Sequence, residues 1–129
     1  MPTDRVQAAL DRLQARRASH MSRPVVYRRG SASVEVYATI GSTTFQITDA
    51  QGVMLESTSR DYLIPAASLI IEGNRVDPRA GDQITESVDG RESVYEVMPF
   101  GPEPAWRFSD RYGKMLRIHT KLVSMGAPA

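Results

Sequence analysis

After Pro24 the hydrophobic period of this chain shifts from about 3.6 residues to 2 and stays there, which restricts its fold more than any other feature. Val34, Val36, Ala38 and Ile40 alternate with Ser33, Glu35, Tyr37 and Thr39, the pattern of a strand with one buried face. Gly41-Ser42 is expected to end that strand and Thr43 to Thr48 to form the next. Asp49-Ala50-Gln51-Gly52 supplies a turn, and Val53 to Ile64 is strand-like with a polar middle. Pro65 stops it, Ala66-Ala67-Ser68 fits one helical turn, and Leu69-Ile70-Ile71 is a short buried strand ended by Glu72-Gly73-Asn74. Further strands are predicted at 83–87, 93–98, 105–109 and 115–123. In the last, Leu116, Ile118, Thr120 and Leu122 share one face, and Arg117, His119 and Lys121 the other. No helical crossover separates these strands, so the pattern predicts a mainly β fold, a small β-barrel or sandwich with one N-terminal α-helix.

That helix is expected from a cap at Thr3 or Asp4 through Arg5 to Arg17, a stretch without Gly or Pro. Val6, Ala9, Leu10 and Leu13 form a narrow apolar stripe, while Arg5, Arg12 and Arg16 point elsewhere and are candidates for an interface. A helix of about 15 residues is marginal alone in water and needs a surface to pack on. The expected division is therefore a helix and linker at 1–23, a β-domain at 24–124 and a fraying tail at 125–129.

Charge is polarised along the chain. Residues 1–30 hold seven arginines against Asp4 and Asp11, whereas residues 31–129 hold nine basic and thirteen acidic residues. Clustered arginines invite a nucleic-acid interface, but no aromatic residue precedes Tyr27 to offer a stacking platform, and a solvated helix face accounts for them as simply. No apolar run approaches the roughly 20 residues of a bilayer span, and the N-terminus lacks the apolar stretch of a secretory signal. Synthesis and assembly in the cytoplasm, without membrane contact, are expected.

Chemistry is sparse. Cysteine is absent, which removes disulfides, thiolate nucleophiles and Cys-ligated metals together. His20 and His119 stand far apart, outside any metal-binding spacing, and neither a Walker loop, a G-x-S-x-G elbow, a G-x-G-x-x-G turn nor an H-E-x-x-H motif occurs. Asp61, Asp82, Glu96 and Asp110 carry the carboxylates for acid–base work, but no spacing sets two of them together. The expectation is no catalytic site, no cofactor and no metal. His119, opposite an apolar face, reads as a solvent-facing or interface side chain, and Trp106 as a core anchor buried beside Phe108. Asp77 to Ile84 reads as a turn in which Pro78 presets the backbone, Gly81 relaxes it and Asp82 binds local amides.

The order of a short helix, Tyr27-Arg28-Arg29-Gly30, Arg60-Asp61-Tyr62-Leu63-Ile64-Pro65, Pro78-Arg79-Ala80-Gly81-Asp82-Gln83-Ile84, Tyr95-Glu96-Val97, Pro104 to Asp110 and Leu116 to Lys121 resembles small head–tail joining proteins of phages and prophages. The resemblance spans roughly residues 24–123. It implies a β-barrel with a structural role, present as a homo-oligomeric ring of six or twelve copies in the virion neck. Its implied neighbours are a portal or adaptor protein on the head side and a tail terminator or tail tube protein on the tail side, with double-stranded DNA passing through unread. Adaptor, stopper and connector roles all fit, and a tail terminator, a minor tail protein or a nucleic-acid-binding barrel are the alternatives. Within such a ring the polar segment Met54, Glu56, Ser57, Thr58, Ser59 and Arg60 is the candidate interface or channel loop.

Overall fold

A computed structural model of the chain describes residues 22–126; the expected helix with Arg5, Arg12 and Arg16 lies outside the described residues. The fold is mainly β. Strands run β1 Arg23–Arg29, β2 Ala32–Thr48, β3 Met54–Pro65, β4 Ile70–Ile71, β5 Asn74–Arg75, β6 Gln83–Val88, β7 Arg91–Val97, β8 Trp106–Phe108 and β9 Met115–Met125, with a 3-10 turn at Ala66–Ser68. β4 and β5 form a small ribbon, and the rest make one antiparallel sheet in the order β3-β2-β1-β6-β7-β9-β8. That order returns on itself, because Arg60–Pro65 of β3 pairs with Met115–Thr120 of β9. Closure is partial, since β2 and β3 run on past this pairing.

Alternation decides which side is dry. Val25 and Tyr27, Val36 and Ala38, Tyr62 and Ile64, Ile84, Val97, Leu116 and Ile118 all project to one face and form a single buried cluster. Ala66, Leu69 and Ile71, from the turn and ribbon after β3, complete that cluster.

Three expectations need correction. Gly41-Ser42 does not break a strand: β2 continues to Thr48, with Gly41 paired to Asp61 and Ser42 to Arg60. The partner strand supplies ladder bonds that outweigh glycine's weak strand preference. At the C-terminal end, β9 reaches Met125, opposite Ser93, and the Gly126 amide donates to the Glu92 carbonyl at 2.6 Å, so the ordered domain extends beyond 124.

Trp106 is only half-buried against the core, and Phe108 is exposed although the two rings meet edge to face at 5.3 Å. β8 is a three-residue edge strand, so one side of each ring faces outward. Trp106→Ala should therefore cost less than the roughly 3–5 kcal/mol of a fully enclosed aromatic. Urea unfolding of the variant checks this, and a loss within or above that range would show the indole to be enclosed.

Candidate functional site

Three buried carboxylates organise the polar part of the molecule, each held by arginine and by hydroxyl groups. Glu86 shares the inward face of β6 with Ile84. It accepts from Arg60 through both carboxylate oxygens at 2.8 and 2.9 Å, from Arg23 at 2.7 Å and from the Tyr62 hydroxyl at 2.7 Å. Arg60 also lies over the Tyr95 ring, 5.1 Å from its centroid, a cation–π contact. At another point on the sheet Asp82 accepts from the Tyr27 hydroxyl, from Arg29 at 2.8 Å and from the Arg79 amide at 3.0 Å. The expected amide-binding role of Asp82 at its turn is present, with Gly81 at a φ of 97°.

The third cluster is on the opposite face of β3 and β9. Asp61 is fully enclosed; it accepts from Arg117 Nε at 2.7 Å, from His119 Nδ1 at 2.8 Å, and from the hydroxyls of Ser59 and Thr43. What encloses it is the loop after β7. Phe100 stacks on Phe45 with centroids 5.1 Å apart, and the His119 ring meets Phe45 edge-on at 5.0 Å. His119 is thus buried, not solvent-facing, because this loop covers the second face of the sheet.

Ser59, His119 and Asp61 together suggest a nucleophile relay, but the geometry differs from one. In a relay the serine and the carboxylate occupy opposite ring nitrogens. Here Ser59 Oγ lies 3.4 Å from the same Nδ1 that meets Asp61, and its nearer partner is the carboxylate. The cluster is built to hold charge in place. Among the described residues no three His, Asp or Glu side chains gather as metal ligands, and no helix is long and apolar enough to cross a membrane.

Burial alone would raise both Asp61 and Glu86. Hydrogen bonds override it: His119, Ser59 and Thr43 hold the Asp61 carboxyl well below its ordinary 3.8, and Tyr62 and Arg60 hold Glu86 below its ordinary 4.5. Burial and the bond to Glu86 push the Tyr62 phenol up. The folded protein then binds protons at these carboxyls less readily than the unfolded chain does. Their stabilisation is complete above the ordinary carboxylate range and is lost as pH falls through it toward the depressed values. The melting temperature should drop progressively below about pH 5. Asp61→Asn should flatten that dependence, and an equally steep profile in the variant would remove Asp61 as its source.

The candidate loop divides in two. Met54, Glu56 and Thr58 are exposed and Ser57 is half-buried on the stretch where β3 pairs only with β2, in the register Thr43↔Ser59 to Thr48↔Met54. Ser59 and Arg60 belong to the body, in the Asp61 and Glu86 clusters. The projecting part is a two-stranded arm closed by Asp49, whose side chain accepts from the amides of Gln51 and Val53. Val53, Met54 and Leu55 are exposed at its tip. Beyond Phe45, which stacks on Phe100, the arm adds little to the buried part of the molecule.

Over residues 3–127 the chain matches the phage head–tail joining protein family. It belongs to that family. The match takes in nearly the whole chain, including the arm and all three clusters, and assigns the chain a structural place among phage head and tail proteins. No curated protein matches it.

Proposed function

We propose that copies of this chain form a ring in the neck of a tailed phage, with the portal or adaptor protein above and the tail terminator or tail tube below. Double-stranded DNA passes through the ring without being read. The body of each copy acts as a small, partly closed barrel in which β3 pairs with β9. The observation that carries this reading is the arm: in a joining protein, a strand pair with an apolar tip and an edge unpaired among the described residues is surface reserved for assembly. From Thr44 to Thr58 the arm carries Asp49 and Glu56 and no basic residue, so it does not attract DNA phosphates where it meets the channel.

Particles made by a phage lacking this gene test the reading. Filled or emptied heads without tails, alongside free tails of normal length, are expected, and electron microscopy of wild-type particles should show the tagged protein as a ring between portal and tail. Tails of irregular length on a mutant background would assign the protein to tail termination instead.

A further inference from the structure

β3 and β9 pair only up to Arg60↔Thr120 and then part. Beyond that point β9 continues beside β7, with Lys121 opposite Glu96 and Met125 opposite Ser93, while Met54–Ser59 of β3 continues beside β2. Two strand edges therefore diverge from one apex, each without a partner on that side among the described residues. Between them is an open cleft of about 440 Å³, with Arg60 at the apex, Ser42 and Thr58 on the arm side, and Tyr95, Lys121 and Leu122 on the other.

The cleft and the arm tip have complementary chemistry. Among the described residues Arg60 and Arg23 share the single carboxylate of Glu86, a surplus of one guanidinium charge, and Lys121, opposite Glu96 on β7, adds an ammonium to the same rim. Leu122, Val123 and Met125 are exposed along the β9 side, where a register shift between Val94 and Tyr95 marks a bulge that twists the strand. The tip offers Glu56 with exposed Val53, Met54 and Leu55.

We propose that this fork is the acceptor for the β2–β3 arm of a second copy. The tip's apolar residues lie on Leu122 and Val123, Glu56 approaches Lys121 and Arg60, and backbone groups of the arm add to an open edge. Donor and acceptor are different patches of one chain, so each copy gives its arm to one neighbour and receives an arm from the other. Such a contact is head-to-tail and generates a ring when its rotation closes. The inference rests on the ring reading above and specifies its interface.

The absence of cysteine makes a direct test possible. Chains carrying one arm cysteine (Met54→Cys or Leu55→Cys) and one fork cysteine (Leu122→Cys or Val123→Cys) are oxidised as the assembled protein and run without reductant. A ladder of covalent multimers is expected from a double variant, with dimers at most from the single variants. Glu56→Lys and Lys121→Glu, both at exposed positions, should each shift sedimentation toward monomer, and the two combined in one chain should restore assembly. Wild-type assembly without a ladder, and indifferent to either charge reversal, would overturn the fork contact while leaving the ring intact. A disulfide confined to the monomer band would make the fork an intramolecular site and overturn it equally. Wild-type protein that stays monomeric at all concentrations and forms no ring in particles would instead overturn the ring reading itself.

Discussion

Replacing Asp61 by alanine is expected to destabilise the protein by about 3–5 kcal/mol, the cost of breaking a buried charge cluster from one side. The substitution leaves Arg117 Nε, His119 Nδ1 and the hydroxyls of Ser59 and Thr43 without the acceptor they share, under a lid formed by Phe100. Domains of this size hold only about 5–15 kcal/mol in total, so a large share of the fold's stability is at stake. Asp61→Leu combined with Arg117→Met should recover part of the loss, because an apolar pair carries no stranded charge. Urea denaturation of the single and double variants measures both effects. A loss under about 1 kcal/mol in Asp61→Ala, the range of an exposed ion pair, would show the cluster to be solvated.

The strands were legible from their alternation because burial on one face writes a two-residue period into the chain, and β6, β7 and β9 fall close to their expected bounds. The charge clusters were legible only in part. Glu86 two residues after Ile84, and Arg60 two before Tyr62, place charges on apolar faces, a pattern that marks a buried pair. Asp61 gives no such sign. It sits on the polar face of β3, and what buries it is a loop about 40 residues downstream, whose path no local period encodes. His119 was misplaced for the same reason. The polar middle of β3 likewise marked an edge or a protruding hairpin, but the point at which projection gives way to body depends on where β9 stops pairing, a long-range register that short-range pattern does not contain.

The difference between arm and body determines how the arm is best tested. A cut through residues 54–60 would remove Ser59 and Arg60 and damage the Asp61 and Glu86 clusters, so lost function would report only unfolding. Excising Ile47 and Thr48 together with Met54 and Leu55 spares every side chain of both clusters and gives up only the packing of Ile47 on Gly101. These residues are paired with one another, so their removal brings the Asp49–Val53 turn onto Gln46 and Glu56. An even number lost from each strand preserves both side-chain facing and ladder type. Phe45, Ser59 and Arg60 keep their partners, while the arm becomes about 7 Å shorter and loses two of its three exposed apolar residues. Thermal unfolding should stay cooperative, at a midpoint lowered only by the loss of the Ile47 contact with Gly101. Complementation of a phage lacking the gene should nevertheless yield few or no DNA-filled, tailed particles, because the shortened arm no longer reaches its acceptor. Wild-type yields from the shortened protein would show that the arm is ordinary surface and that assembly runs through another part of the chain.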